Sequence, residues 1–331
     1  MKVALYTIYK ATNYGTQLQA EALYSLLETI VGEGNVRILS EENDIRANIF
    51  RPFSKNPITW FKRLNYWIKH ETYTSQFQVG NITEKYDAVV IGSDELWNVL
   101  NPDLKHSGYY IGKGFYSENI YTYAISCNKA KVTDFVTKYG EKPFVGINEI
   151  SVRDSMSMEL VKTLIGKEPV TVLDPTFLVE FKPKAINEKS YIMVYGYQFY
   201  DDEIAEIKRF ALREHLKLIS VGFEQRWCDR FVLCSNKEFI GYIQKAKYIV
   251  TSTFHGTVFS IKYNRQFVSY VRDNSKVKDL LEKFDILSRN ATERDLSVIF
   301  DEQINYIPIN QTIKKEKETS KSWLATRLKG K

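Results

Sequence analysis

Short apolar runs alternate with longer segments of helical periodicity through the first half of the chain. Segment 15–30 predicts a helix, because Leu18, Ala22 and Leu26 recur on one of its faces. Apolar runs predict strands at Val3–Tyr9, Asp87–Ile91, Ile120–Ser126, Val145–Asn148 and Val170–Leu173. Strands that alternate with helices are typical of a parallel sheet with helices on both faces. The first half therefore predicts an α/β domain.

A second series of the same kind begins at Tyr191. Its predicted elements are strand Tyr191–Tyr195, helix Asp201–His215, strand Leu218–Val221, helix Lys237–Lys245, strand Tyr248–Ser252, a helix from Gly256, strand Phe267–Val271 and helix Lys276–Phe284. The polar segment 180–190 between the two series is typical of a linker. The predicted fold class is α/β, with two Rossmann-like domains at 1–182 and 183–311 and a Lys-rich terminal helix at 312–331.

Composition supports two packed domains and limits the classes of molecule that the protein is expected to bind. The 331 residues are 44% hydrophobic and 26% charged, which excludes a disordered chain. Lys and Arg number 46 against 40 Asp and Glu. A net charge of +6 favours anionic small molecules or an acidic membrane surface over duplex DNA, so no nucleic-acid partner is predicted.

Cysteine usage and apolar runs indicate the cell compartment. Cys127, Cys228 and Cys234 are odd in number and lack CxxC spacing, which argues against a disulfide scaffold and a thiolate zinc site. The first apolar run is too short for a signal peptide, and no run is long enough to span a membrane. We therefore expect a cytoplasmic protein, and no metal site is predicted.

The segment 248–261, YIVTSTFHGTVFSI, carries the densest set of candidate ligand-binding residues. It predicts an apolar strand, a polar turn and a helix, and the start of such a helix offers free N–H groups and a positive dipole to an anion. His255 adds a group that exchanges protons near neutral pH. The alternative is a capped helix with a hydrogen-bonded histidine. The candidates are Ser252, Thr253, His255, Gly256 and Thr257.

Two further strand ends place polar residues where a sugar could bind. In TIYKATNYGTQLQ, Asn13, Tyr14 and Gln17 lie at a turn and the start of a helix. In IGSDELWN, carboxylates stand beside an aromatic residue, an arrangement that suits carbohydrate; its residues are Asp94, Glu95, Trp97 and Asn98. A plain turn in the first segment, and a capped helix start in the second, account for the same residues.

Arg153, in ISVRDS, and Asp174, in LDPTFL, each follow a predicted strand. An arginine at a strand end is a bidentate partner for carboxylate or phosphate, although most single arginines are surface groups.

Six ordered segments together resemble the polysaccharide pyruvyl transferase family. They are NYGTQLQAEAL, IGSDELWN, SVRDS, LDPTFL, TSTFHGTVFSI and SKVKDLLEKFDILSR. The resemblance implies a GT-B-like pair of domains, phosphoenolpyruvate as donor, and a pyruvyl ketal formed across two hydroxyls of a cell-surface sugar. It also implies that His255 is the active-site histidine and Arg153 the donor-binding arginine.

The chain departs from the family pattern at one position. Many members carry Arg two residues before the histidine, and this chain has Thr253 there. We therefore expect the donor phosphate to meet the helix start at Gly256 and Thr257, or a basic residue such as Lys262 or Arg265. The departure also leaves open a branch with a different activity.

The expected mechanism uses His255 as general acid and Asp94 or Glu95 as base. Phosphoenolpyruvate is a co-substrate, and no cofactor is expected. The predicted donor-binding residues are Arg153, Ser252, Thr253, Gly256 and Thr257, and the predicted acceptor-binding residues are Asn13, Tyr14, Gln17, Trp97 and Asn98. Two alternatives are a GT-B glycosyltransferase that uses a nucleotide sugar, and a non-catalytic sugar-binding protein, which the 14% aromatic content would suit.

Segment 58–70, ITWFKRLNYWIKH, predicts an amphipathic helix that is basic and aromatic. Trp60, Phe61, Leu64 and Trp67 recur at helical spacing beside Lys62. Such a helix suits the headgroup region of an anionic membrane. We therefore expect peripheral contact with the inner face of the plasma membrane, where a lipid-linked glycan acceptor would be found. The alternative is a helix packed on its own domain.

Overall fold

The computed structural model describes residues 1–41, 57–292 and 294–330 of the chain. Within them lie two parallel sheets, each built from the strand and helix alternation that the sequence predicts. The strands are central and apolar, and helices cover both faces. The structure confirms an α/β fold of two Rossmann-like units.

The first sheet has the strand order β2-β1-β3-β4-β5-β6, and all its pairings are parallel. Its strands are β1 Val3–Tyr6, β2 Val36–Leu39, β3 Ala88–Asp94, β4 Ile120–Ile125, β5 Ser151–Val152 and β6 Val170–Thr171. Strands β1, β3 and β4 are buried along their whole length, because helices cover both of their faces.

The second sheet has the order β11-β10-β7-β8-β9 and is also parallel. Its strands are β7 Tyr191–Tyr195, β8 Lys217–Val221, β9 Arg230–Val232, β10 Tyr248–Thr251 and β11 Gln266–Ser269. The segment between the two sheets, which runs from residue 172 to residue 190, contains the predicted linker.

The helices lie between the strands and after the last one. They are α1 Tyr14–Val31, α2 Pro57–Thr74, α3 Val132–Tyr139, α4 Ser155–Ile165, α5 Asp201–Arg213, α6 Asn236–Lys245, α7 Phe254–Lys262, α8 Ser275–Lys283, α9 Leu296–Asp301 and α10 Tyr306–Lys329. Short 3-10 turns occur at Gly108–Ile111, Pro175–Phe177 and Leu287–Arg289. No helix in these described ranges is long and apolar enough to cross a bilayer.

One predicted strand is wrong. Residues 145–148 form a turn, and the strand that joins β4 is Ser151–Val152. Gly146 lies in this turn and packs on the Gly112 carbonyl, where a Cβ would lie only 2.9 Å from the oxygen. Val145 is exposed, so its apolar side chain does not contribute a buried strand position.

The terminal helix α10 begins at Tyr306, earlier than the predicted start at 312, and it packs against the first sheet. Ser320 Oγ accepts a hydrogen bond of 3.0 Å from the Leu173 backbone N–H, and the Trp323 ring lies 6.2 Å from that of Tyr123 in β4. The chain therefore returns to its first unit after completing the second. Residue 331 lies outside the described residues.

In each sheet, successive strands are first added on one side and then on the other. This reversal of strand order lies between β1 and β3 in the first sheet and between β7 and β10 in the second. Ligands of open α/β sheets bind beyond the carboxyl ends of the strands at such points. The two points face one cleft, which contains the candidate site.

Candidate functional site

A cleft of 1250 Å³ lies between the carboxyl ends of the two sheets. The first unit contributes the β1–α1 loop from residue 10 to 13 and the ends of β3, β4 and β5. The second contributes the ends of β7, β10 and β11. The lining includes the predicted residues Asn13, Asp94, Glu95, Arg153, Ser252, Thr253 and His255.

The turn between β10 and α7 presents His255. Thr253 is the N-cap of α7, and its Oγ1 accepts a 3.0 Å hydrogen bond from the Gly256 N–H. Thr253 therefore caps the helix. A Cβ on Gly256 would lie 2.0 Å from Thr251 Oγ1, so this glycine permits close packing of the turn. Thr257 is fully buried against Ser269. Neither Gly256 nor Thr257 is among the residues that line the cleft, and their contact with a donor phosphate stays a prediction.

His255 is 5% exposed, and its imidazole faces a carboxylate. Its Nε2 lies 3.6 Å from Asp174 Oδ2, beyond hydrogen-bond length, and this buried nitrogen has no hydrogen-bond partner among the described residues. Asp174 is fixed by its own contacts, because the Thr176 hydroxyl and N–H both donate to Oδ1. The Asp174 carboxylate is therefore placed to orient the His255 ring and to stabilise its protonated form.

Arg153 joins this carboxylate to a second one. Its Nη1 donates to Asp174 Oδ2 at 2.6 Å and its Nη2 donates to Asp94 Oδ1 at 2.9 Å. The other oxygen of Asp94 accepts from the Thr16 hydroxyl at 2.8 Å. Both terminal nitrogens of the Arg153 guanidinium thus donate to protein carboxylates. Arg153 therefore forms a bridge between two carboxylates on the floor of the cleft, and its grip on a donor stays a prediction.

The bridge keeps both carboxyls ionised. Burial by itself raises the pKa of Asp174, but His255 and Arg153 together hold it well below its usual range. Burial likewise opposes ionisation of Asp94, and the Arg153 charge holds the pKa of that carboxyl below its usual value. Asp94 is consequently a weak proton acceptor, and both of its oxygens are engaged, so the structure argues against it as the base.

Glu95 is engaged in the same way by a residue that the sequence analysis missed. Its Oε1 is paired with the Lys276 ammonium, and its Oε2 accepts 3.0 Å hydrogen bonds from Asn98 and Asn128. Lys276 lies in α8 of the second unit and is only 3% exposed, yet it lines the cleft. The signal was present, since Lys276 belongs to the segment SKVKDLLEKFDILSR.

The β1–α1 loop connects the two units and leaves few groups for an acceptor. Asn13 Oδ1 accepts from the Gly15 N–H and the Tyr195 hydroxyl, and its Nδ2 donates to the Tyr197 hydroxyl. The hydroxyl of Tyr14 is bound to the Cys234 backbone. Tyr14 is buried outside the cleft lining, and its assignment to the acceptor stays a prediction.

Gln17 and Trp97 are also structural. Gln17 is buried, and its amide donates to the Ala11 carbonyl at 2.6 Å. Trp97 is fully buried, with its Nε1 donating 2.8 Å to the Tyr110 carbonyl and its ring 4.6 Å from that of Phe144. Neither side chain lines the cleft. Asn98 does not line the cleft either, and its amide donates to Glu95. The acceptor roles of these three residues stay predictions.

The basic residues predicted to replace the missing Arg face elsewhere. Lys262 Nζ donates to the Val179 carbonyl at 2.5 Å, and burial lowers the pKa of Lys262 to about 8. Arg265 donates to the Gln244 carbonyl at 2.7 Å. The cations of the cleft are instead Lys10, Lys105, Lys129, Arg153, Arg272 and Lys276.

The described residues contain no group of three or more His, Cys, Asp or Glu side chains placed to hold a metal ion. In that part of the chain Cys127, Cys228 and Cys234 are free thiols.

The fold and the cleft define a GT-B-like protein whose candidate site lies between two Rossmann-like units. The structure is similar to the S. aureus MnaA–UDP co-structure, with a TM-score of 0.52, 11% identity, and coverage of 97% of this chain and 91% of that chain. It is also similar to the Methanocaldococcus jannaschii UDP-GlcNAc 2-epimerase in complex with UDP-GlcNAc and UDP, with a TM-score of 0.50, 9% identity and full coverage, 100%, of both chains. At these identities the likeness concerns the fold alone.

The chain belongs to the polysaccharide pyruvyl transferase family, whose model matches residues 13–274. This match includes both units of the cleft and every candidate residue except Lys276. No curated protein matches the chain.

Proposed function

We propose that the protein transfers the pyruvyl group of phosphoenolpyruvate to two hydroxyls of a glycan, forming a ketal, and that His255 moves the protons. The observation that carries this proposal is the state of the titratable groups in the cleft. Asp94, Glu95 and Asp174 are engaged by cations, whereas His255 is held beside Asp174 with a ring nitrogen left for substrate. We assign that role to Nδ1, because Nε2 is enclosed and faces the carboxylate.

The reaction can be balanced through this one ring. Two C–O bonds form at the central carbon of the donor, and its bond to the phosphate oxygen breaks, with the electron pair leaving on phosphate. The two hydroxyls lose two protons, of which one converts the donor methylene to a methyl and the other leaves with phosphate. A protonated His255 gives a proton to carbon, regains one from the first hydroxyl, gives it to the leaving phosphate and regains one from the second. The sequence expectation of a separate carboxylate base is thus replaced.

The donor carries several negative charges, and two features support its binding. Lys276 brings a buried ammonium from the second unit into the cleft beside Glu95. The N-terminus of α7 adds its positive dipole end at the same place. In this proposal Arg153 contributes a fixed positive charge from the floor of the cleft.

The deciding experiment is to incubate the protein with phosphoenolpyruvate and a panel of lipid-linked and aryl glycosides while following phosphate release. We expect release that depends on the acceptor, together with a product that is heavier by a ketal-linked pyruvate. The absence of release with every acceptor in the panel, while the donor binds, would count against pyruvyl transfer.

A nucleotide-sugar glycosyltransferase is the second candidate. The cleft of 1250 Å³ has room for more than phosphoenolpyruvate, and the two similar structures contain UDP or a UDP-sugar. The candidates differ in donor, so each donor's effect on the melting temperature distinguishes them. Stabilisation by a nucleotide sugar and not by phosphoenolpyruvate would favour the second.

We also propose that α2 docks on an anionic membrane. One face of the helix packs on its own domain through Tyr66, which donates 2.6 Å to the Thr12 carbonyl in the cleft-lining loop. The opposite face exposes Phe61, Leu64 and Ile68. Lys62 on the same helix is exposed, and the chain as a whole carries +6. Docking through this face would bring the cleft to a glycan on a lipid carrier.

A further inference from the structure

Gly15, in the first turn of α1, lies against the imidazole of His255, which belongs to the other unit. A Cβ on Gly15 would lie 2.3 Å from His255 Cγ and 2.4 Å from its Nδ1. Real Cβ atoms do not come that close to other heavy atoms, so any side chain here would displace the ring. The absence of a side chain at residue 15 therefore fixes where the His255 ring can be.

The helix start that carries Gly15 cannot easily move away. The Gly15 N–H donates to Asn13 Oδ1 at 2.8 Å, and the same oxygen accepts from the Tyr195 hydroxyl at 2.8 Å. One residue before Gly15, the Tyr14 ring stacks on Phe239 with 4.7 Å between ring centroids. The start of α1 is thus fastened to the second unit by the two residues that precede Gly15.

The imidazole is also bounded on its other side. Its Nε2 faces Asp174 at 3.6 Å, and Asp174 is held by Arg153. The Phe254 ring, 5.3 Å from the imidazole, lies under the Arg153 guanidinium at 4.4 Å. If a side chain at residue 15 displaced the His255 ring, the ring would lose its alignment with Asp174 or collide with Phe254.

We propose that Gly15 is a positioning residue: it sets the place of the His255 imidazole, so that the catalytic ring is correctly placed only when α1 of the first unit is seated on the second. The inference rests on the proposed function in that His255 is taken as the proton carrier. Gly15 itself touches no substrate. Its effect on turnover should pass entirely through His255.

A double-mutant cycle tests this directly. We expect Gly15→Ala to lower kcat about a hundredfold, the scale of a lost proton donor, with little change in the donor KM. We expect Gly15→Ala together with His255→Ala to be no slower than His255→Ala alone. A further large loss in the His255→Ala background, or wild-type turnover by Gly15→Ala, would overturn the proposal.

Gly241→Ala is the matched control. Its new Cβ would lie 2.3 Å from the Lys184 carbonyl oxygen, a clash of the same size in α6 and outside the cleft lining. We expect it to lower the melting temperature while the folded enzyme keeps its kcat.

A second readout does not need turnover, so it separates this inference from the proposed function. In imidazole NMR spectra the His255 signals should shift in Gly15→Ala and stay in place in Gly241→Ala. Unshifted His255 signals in folded Gly15→Ala would refute the positioning role. If the wild type releases no phosphate but Gly15→Ala shows these NMR shifts, only the proposal of pyruvyl transfer is contradicted.

Discussion

The guanidinium of Arg153 and the carboxylate of Asp174 form an ion pair with 2.6 Å between Nη1 and Oδ2, and both side chains are 1% exposed. Breaking a pair of this kind leaves a charge in a place where water cannot replace the lost partner. The pair also lies directly behind His255. Stability and catalysis therefore depend on the same contact.

Arg153→Lys should be clearly destabilising. A lysine ammonium cannot bridge Asp94 and Asp174 as the fork does, and leaving a buried charged group without its partner costs roughly 1–3 kcal/mol or more. We expect a loss of that size in urea unfolding. Arg213→Lys, at an exposed pair with Asp301, should change stability by less than about 0.5 kcal/mol. Equal effects of the two changes would show that the Arg153 bridge is not structural.

The sequence predicted where the chemistry lies better than which atoms are free to perform it. Strand and turn patterns placed Asn13, Asp94, Arg153 and His255 at strand ends, and the fold brings those ends to one cleft. The partner of each side chain could not be predicted, because it depends on contacts between distant segments. Arg153 is the example, since the carboxylates that occupy it are 59 and 21 residues away in sequence.

Local composition misled at the aromatic positions. A tryptophan beside carboxylates suggested a sugar platform, but burial of a large ring stabilises a core wherever there is room, and Trp97 fills such a place. The pairing of Lys276 with Glu95 crosses the two units, so no local pattern marks it. The sequence marked only the segment SKVKDLLEKFDILSR in which Lys276 lies, and the family model ends just before that segment, at residue 274.

Acid should weaken the protein through Asp94 and Asp174. Both have folded-state pKa values below the ordinary 3.8, so their stabilising contribution is present above that pH and is lost as pH falls through their folded values. Asp174→Asn should be less stable than wild type at pH 7, and the difference should narrow below about pH 4. Urea unfolding at several pH values measures this. Asp285→Asn, at an exposed carboxylate, should give no such narrowing.

His255→Ala should leave the fold intact and lower turnover about a hundredfold or more, because a positioned proton donor contributes roughly that factor. Phosphate release under saturating substrates measures the effect, and a melting curve verifies folding. Turnover within a few-fold of wild type would remove His255 from the mechanism.

Lys276→Met should weaken donor binding more than it lowers the turnover of the enzyme once its substrates are bound. The change removes a buried cation from the cleft and leaves Glu95 as an added negative charge facing an anionic donor. We expect the KM for phosphoenolpyruvate to rise at least about tenfold, with a smaller change in kcat. Lys278→Met, at an exposed position in the same helix, is the control. An unchanged KM in Lys276→Met would place the donor elsewhere in the cleft.

The membrane proposal for α2 depends on the residues that its outer face exposes. Phe61 is 73% exposed and Ile68 is 52% exposed, whereas Tyr66, His70 and Tyr73 on the inner face are buried. Replacing Trp60 and Trp67 would be a poor test of docking, because Trp67 packs against the core and donates to Glu71.

Phe61→Ser with Ile68→Ser should abolish co-sedimentation with anionic vesicles at low salt, because apolar burial and lipid charge act together in such binding. The variant should melt as wild type does, since neither side chain is part of the core. Leu212→Ser removes an equally apolar side chain, 77% exposed on α5 of the second unit, and should leave sedimentation unchanged. Neutral vesicles should retain less of the wild type than anionic ones. If wild type and the double variant sediment alike, the outer face of α2 is not the membrane contact.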